Sequence, residues 1–303
     1  MKPEITIFTP TYNRGYIIEK LYHSLRNQSF KNFEWLVIDD GSTDNTESLF
    51  LKWIEEENDF HIVYKKVENG GKHRAINLGI ETAKGKLFFI VDSDDYITDD
   101  ALKKISEWEK TIINDFGFAG VSGLRGYSQT KIIGTTFRGE FVDSTSLERE
   151  KCNIYGDKAE VFYTDILKKY KFPEYEGENF VSENVVWYAI ANDGYKIRWF
   201  NEIIYICNYL DDGLTNNIEK VIAKSPKGWI HLVRQTIRYK QISRIHKLKS
   251  IAGFTKEAHV FGLSAKKAAE SIEVNLLLFL ILKLMHNIKN LIKKRRVAQR
   301  ENR

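Results

Sequence analysis

Over its first hundred residues the chain alternates short apolar runs with amphipathic stretches, and this alternation leaves few folds open. Ile5-Thr6-Ile7-Phe8 reads as a strand, Pro10 and Asn13 suit a turn, and Ile17, Leu21 and Leu25 then recur at helical spacing. The unit repeats. Phe33 to Ile38 ends in Asp39-Asp40-Gly41-Ser42-Thr43-Asp44, and Leu49, Trp53 and Ile54 share the next helical face. His61 to Lys65 reads as a third strand, Arg74 to Ala83 as a helix closed near Gly85, and Leu87 to Val91 as a fourth strand. Parallel neighbours need crossover connections, usually helical, so the expectation is a mainly parallel sheet flanked by helices.

Ligands of such sheets bind beyond the carboxyl ends of the strands. The four candidate strands send polar residues there: Thr9 with Tyr12, Asp39 with Asp40, Glu68 with Asn69, and Asp92 with Asp94. The sharpest transition is Phe88-Phe89-Ile90-Val91-Asp92-Ser93-Asp94-Asp95, a buried-type strand that ends abruptly in carboxylates. Hard divalent cations take oxygen ligands, one or two of them protein carboxylates and the rest substrate phosphates. Asp and Ser are also ordinary turn and cap residues, which is the plainer reading of each motif alone.

At 303 residues and 43% hydrophobic the chain can bury a sizeable core as one large domain or two smaller ones. Cys152 and Cys207 are too few for a disulfide framework or a structural zinc site, although a bridge between them is not excluded by counting. The first residues lead straight into a strand with no leader-type segment, and a reducing, cytoplasmic setting is expected.

Pro10-Thr11-Tyr12-Asn13-Arg14, Asp39 to Asp44, Asn69-Gly70-Gly71-Lys72-His73-Arg74-Ala75-Ile76-Asn77 and Asp92-Ser93-Asp94-Asp95 stand in an order that resembles family 2 glycosyltransferases of the GT-A fold. The resemblance is close over about residues 3–100 and weaker to about 215. It implies a Rossmann-like sheet, a nucleotide-diphosphate sugar donor, a Mn2+ or Mg2+ ion and inversion at the anomeric carbon. By position it places Thr9 and Tyr12 at the base, and Asp39 and Asp40 at the base and ribose of a UDP or dTDP donor. Asn69, Lys72, His73 and Ser93 fall along the donor, Asp92 on the ribose or the metal, and Asp94 on the metal that bridges the diphosphate. The common family form carries Arg where this chain has Ile76, so cationic contact with the diphosphate falls to Lys72, His73 and Arg74.

Inverting transfer needs a general base. Phe180 to Tyr188 resembles the family's acidic segment at a helix start, usually Glu-Asp and here Glu183-Asn184, so Glu183 takes that role with Glu178 and Asp157 in reserve. A first-turn carboxylate after Ser182 also suits the helix dipole, and Trp187 and Tyr188 read either as sugar-stacking rings or as core. Phe118 to Arg125 and Lys131 to Phe137 read as further strands, Tyr195 to Tyr209 as another strand pair or extended run, and Asp157 to Tyr170 as an acceptor-side loop and helix.

Beyond about Leu214 the pattern turns helical, at Lys227 to Tyr239 and Ser264 to Arg296. Lys283 to Arg303 carries eight Lys or Arg against one Glu, while the whole chain stands at only +5. Leu277, Ile281, Leu284, Met285, Ile288, Leu291 and Ile292 share one face of this basic tail. The dense apolar run is too short to span a bilayer. A membrane surface contacted through 276–300 is one expectation, and packing on the body or on another subunit is the other. Nucleic acid is not expected, for the cluster lacks interleaved aromatics.

The combined expectation is a catalytic domain over 1–215, with a nucleotide-sugar half at 1–100 and an acceptor half at 101–215, and a helical extension over 216–303. The function expected is metal-assisted transfer to a glycan or lipid-linked acceptor of bacterial surface polysaccharide, on the inner face of the membrane. An inactive nucleotide-sugar-binding module is the alternative. A sugar nucleotidyltransferase is disfavoured, since Thr9 to Arg14 lacks a glycine-rich phosphate cradle.

Overall fold

The computed structural model describes residues 2–301 except 57, 209, 211, 212 and 214; the side chains of 215 and of 289–301 are also outside the description. Tyr209, and the tail side chains from Lys289 onward that the amphipathic reading uses, therefore lie outside the described residues. The chain divides into two compact units, Met1–Glu174 with Val186–Asn217, and Tyr175–Val185 with Ile218–Arg303.

In the first unit β1 (Ile5–Thr11), α1 (Glu19–Arg26), β2 (Phe33–Asp39), α2 (Thr46–Glu55), β3 (His61–Lys66), α3 (Lys72–Thr82) and β4 (Leu87–Ile90) alternate as the sequence implies. They are followed by β5 (Tyr96–Ile97), α4 (Ala101–Lys110), β6 (Phe118–Gly126), β7 (Phe141–Ser144), β8 (Lys158–Tyr163), α5 (Thr164–Leu167), α6 (Asn184–Asn192) and β9 (Lys196–Ile206), with α6 beginning in the second unit. Among the described residues the sheet has nine strands in the order β3-β2-β1-β4-β8-β6-β9-β5, with β7 on β9. The first four are parallel. β8 then runs antiparallel to both β4 and β6, which makes the sheet mixed.

Every residue of β1, β2 and β4 is buried, which is why these strands read as largely apolar runs; the buried Glu34 of β2 accepts from the Thr6 hydroxyl of β1 at 2.6 Å. Pro10 is tolerated inside β1 for a local reason. Phe8 bonds on the β4 side, where its carbonyl accepts from Val91 N at 2.9 Å, so Pro10 faces that side too. The β4 ladder has already ended at the Phe8–Ile90 pair, and no bond is lost with the missing N–H. One face of the sheet is covered by an aromatic group in which Tyr22 stacks on Trp53 at 4.3 Å and Trp35 meets Phe50 at 5.0 Å.

Two sequence expectations need correction. Asp157 to Tyr170 is not a loop and helix: it holds β8, central in the sheet, where Ala159, Val161 and Phe162 are buried between β4 and β6, and only the four-residue α5 follows. Lys131 to Phe137 forms no strand and contributes a single bridge at Ile132. Gly134 interrupts it at φ +77°, where a Cβ would lie 2.0 Å from Tyr155 O. Both cysteines are free thiols.

The second unit contains α7 (Ile218–Ala223), α8 (Pro226–Arg238), α9 (Arg244–Val260), α10 (Ala265–Ser271) and α11 (Leu276–Glu301). Ser264 to Arg296 thus holds two helices, separated where Glu273 turns to φ 59°. Val233, Ile251, Phe254, Ala268, Ile272, Phe279 and Leu282 form the core of this unit. Glu178 anchors it at α8, accepting from the backbone N–H groups of Lys227 and Gly228, each at 2.9 Å.

Candidate functional site

The carboxyl ends of β1 and β2 are tied together loop to loop. Asn13 adopts φ 51°, its N–H donates to Ser42 Oγ at 2.8 Å, and its side-chain oxygen accepts from Thr43 N at 2.8 Å. Gly15 N donates to Asp44 at 2.9 Å. Thr9 is fully buried and accepts from the Trp35 indole at 3.0 Å, so its hydroxyl faces the core, whereas Tyr12 is about half exposed.

Asp39 and Asp40 are both buried and both engaged by the protein. Asp39 accepts from Ser42 N at 2.7 Å and from the Tyr64 hydroxyl. The Tyr64 ring stacks on Phe50 at 4.8 Å, and burial together with Asp39 pushes its phenol well above the usual range. Asp40 accepts from Gly70 N at 2.7 Å, Gly71 N at 2.9 Å and the Asn69 amide at 3.2 Å. Burial raises its carboxyl while the two backbone donors work against that rise. Gly71, at φ +96°, bends the chain into α3 so that these N–H groups point back at Asp40.

The first turn of α3 carries three polar side chains with three different fates. Lys72 Nζ lies 2.7 Å from Asp92 Oδ1. Arg74 donates to Gly70 O and lies 3.5 Å from Glu174. His73 is 1% exposed, neither ring nitrogen has a hydrogen-bond partner among the described residues, and burial pulls its pKa down to about 4, so it is neutral. One turn on, Asn77 clamps Phe172 and Glu174 through bonds of 2.8–3.0 Å, holding that segment on the helix. Asp40, Arg74, Asn77, Lys171 and Glu174 line a cavity of about 340 Å³.

At the end of β4 the aspartates separate. Asp92 and Asp94 are partly exposed, and Ser93 between them is buried. Burial works against ionisation of Asp92, but Lys72 and Arg125 overcome it and hold the carboxyl low. Burial and the Asp92 charge push Asp94 up. Asp95 accepts from the Tyr205 hydroxyl at 2.7 Å and Asn208 N at 2.7 Å, and burial first, then Asp92, raises it to about 7.

The described residues contain no group of three or more His, Cys, Asp or Glu placed to hold a metal. The Asp92–Asp94 pair nonetheless suits a cation completed by substrate oxygens. Two hard carboxylates sit close enough for one to raise the other, and a divalent ion relieves that repulsion.

Glu183 is half-buried immediately before α6 and Asp157 is exposed, while Glu178 is committed to α8 as described above. Sequence reasoning missed Tyr64, Arg125, Tyr205 and Asn208. Tyr205 Oη both accepts from Asp92 N at 3.0 Å and donates to Asp95, and the Arg125 guanidinium covers the Tyr205 ring at 4.2 Å. Only the pairing of β9 with β5 and β6 brings Tyr205 and Asn208 beneath a turn more than a hundred positions away in sequence.

Residues 6–119 match the family described as "Glycosyl transferase family 2". The chain is 25% identical over 259 residues to the Bacillus subtilis (strain 168) protein TuaG, provisionally named a teichuronic acid biosynthesis glycosyltransferase, covering 85% of this chain and 95% of that one. It is 26% identical over 196 residues, 56% of this chain and 62% of the relative, to the GalNAc(5)-diNAcBac-PP-undecaprenol beta-1,3-glucosyltransferase of Campylobacter jejuni. In two further relatives the matched segment is 35% and 21% of the protein's length. The crystal structure of S. aureus TarS 1-349 in complex with UDP-GlcNAc superposes with a TM-score of 0.62 at 21% identity, covering 88% of this chain and 75% of that one.

Proposed function

We propose that this chain, whose residues 6–119 match glycosyl transferase family 2 and whose fold is GT-A, moves one sugar, with inversion, from a UDP- or dTDP-linked donor to a glycan or lipid-linked acceptor of bacterial surface polysaccharide. The name of TuaG and the undecaprenol-linked substrate in the name of the Campylobacter relative support the pathway and acceptor. The UDP-GlcNAc bound to TarS supports the donor class. The catalytic domain is assigned to 1–215, acting from the cytoplasmic face of the membrane.

The observation that carries the donor side is the 2.7 Å pair between Lys72 on α3 and Asp92 after β4, with Asp94 beside it. A cation for the diphosphate and the carboxylates for a metal thus share one edge of the sheet. In this reading Tyr12 presents its exposed ring to the base, while Thr9, Asp39 and Asp40 shape the nucleoside end through the contacts that fix its loops. Asn69, His73 and Ser93 border the diphosphate and Lys72 meets its charge. Mn2+ or Mg2+ held by Asp92 and Asp94 would neutralise charge on the leaving diphosphate. Glu183 takes the acceptor hydroxyl's proton as that oxygen attacks the anomeric carbon from the face opposite the diphosphate, and the sugar–phosphate bond breaks. Its support is its position in the acidic segment ahead of α6; Asn184 has no carboxylate to accept the proton.

A thermal-shift panel of nucleotide sugars with and without manganese tests donor and metal together. The expected result is a rise in Tm with a uridine or thymidine diphosphate sugar that is larger with manganese. A shift confined to purine-linked sugars, or none, overturns the donor assignment. Glu183→Gln should keep donor binding and lose transfer; normal transfer by that variant removes Glu183 as the base.

A further inference from the structure

Helix α11 is apolar on two faces, and the second unit uses one of them. Phe279 and Leu282 are buried against Phe254, Ala268 and Ile272. On the remaining arc Leu277, Ile281, Leu284 and Ile288 follow one another at intervals of four, three and four, with Leu280 and Met285 beside them. All six are exposed, Leu277 at 66%, Leu284 at 62% and Met285 at 60%. Between 276 and 288 the sequence has one Lys, one His and no acid, so nothing charged screens the stripe from an apolar partner except Lys283. A contiguous apolar face of this kind marks a contact surface.

The sequence that follows says what the contact is made with. Lys289, Lys293, Lys294, Arg295, Arg296, Arg300 and Arg303 stand against the single acid Glu301. No helix among the described residues is long and apolar enough to cross a membrane. A short apolar stripe continued by a cationic segment matches a surface that is greasy beneath and anionic above, since leucines enter the boundary between acyl chains and headgroups while Lys and Arg meet lipid phosphates. A second copy packed through the same face would bring another cationic segment with only Glu301 to offset it. We infer that the Leu277–Ile288 face of α11 docks the protein onto an anionic phospholipid surface, with the helix lying in the plane of the interface. The inference builds on the proposed lipid-linked acceptor, but vesicle binding is read without turnover, so the two fail separately.

Flotation of the full chain with vesicles rich in phosphatidylglycerol, or of phosphatidylcholine alone, tests it. Binding is expected to the anionic vesicles and to weaken about tenfold or more on the neutral ones or in high salt, where screening shortens the reach of charge. Leu277→Asp combined with Leu284→Asp should lower binding about tenfold or more with Tm unchanged, because neither side chain contributes to the core. A second variant, Lys293→Gln with Lys294→Gln, Arg295→Gln and Arg296→Gln, should lose the preference for anionic lipid while keeping the fold. Failure of the full chain to float with either vesicle overturns the inference. So does flotation of the double Asp variant equal to that of the unaltered chain. A dimer in solution that the double variant dissociates, with no lipid binding, would assign the face to a second copy instead.

Discussion

After β2, Asp39 and Asp40 are buried, and their carboxylates accept from Ser42, Tyr64, Asn69, Gly70 and Gly71. After β4, Asp92 and Asp94 are partly exposed; Asp92 meets a lysine ammonium, and Asp94 is raised by burial and by its neighbour's charge. Both turns are Asp-rich ends of buried parallel strands, yet the first gives its carboxylates to neutral donors of the surrounding loops and strands, whereas in the second Asp92 meets a cation and Asp94 stays partly exposed. Asp95 sides with the first group, tied down by Tyr205 and Asn208. An aspartate at a strand end is therefore diagnostic of a ligand site only when the protein leaves its oxygens unspent.

This contrast breaks if the two turns respond alike to substitution. Asp94→Ala should cut transfer about a thousandfold or more, on the scale of losing a transition-state charge partner, and abolish manganese-dependent donor binding while Tm stays unchanged. Full turnover of that variant in a chelator would remove Asp94 from the metal. Asp40→Ala should do the opposite, lowering stability by about 3 kcal/mol because three donors lose their acceptor in a buried place. Chemical denaturation measures it, and a shift below about 0.5 kcal/mol would mean that water replaces the carboxylate freely.

His73 sharpens the comparison through pH. The unfolded imidazole takes its proton near pH 6.5, the folded one resists to about pH 4, and across that window the unfolded state binds more protons. Stability should fall as pH drops from about 6.5 to about 4, by up to about 2–3 kcal/mol, and His73→Leu should flatten that part of the profile. An unchanged profile in the variant would show that His73 is protonated or solvated in the folded chain. The smallest effect is expected for Tyr64→Phe, about 1 kcal/mol, since Asp39 keeps its bond from Ser42 N.

Of the four parallel strands, β1, β2 and β4 were legible because they are buried throughout and mostly apolar until they leave the core, and the more exposed β3 by its β-branched and aromatic residues between β2 and α3. β8 was not legible. Lys158 opens it and Glu160 interrupts it, and it reads as a strand only once Lys158 Nζ is seen donating to Ile133 O at 3.2 Å and Tyr155 O at 2.6 Å. The motif aspartates were legible as a group, but which of them is spent was not. That depends on donors such as Tyr64 and Tyr205, whose strands have no sequence relation to the turns they support.

Local pattern by itself determined the alternation of strand and helix, the polar edge at which the strands end, and the cationic apolar tail, since all of these follow from burial and helical or strand periodicity along contiguous residues. The tertiary structure alone decided the insertion of β8, the separation of structural from available carboxylates, and which face of α11 is left bare. Each of these is set by what a side chain meets across the fold, and a contact between distant residues has no signature at either one.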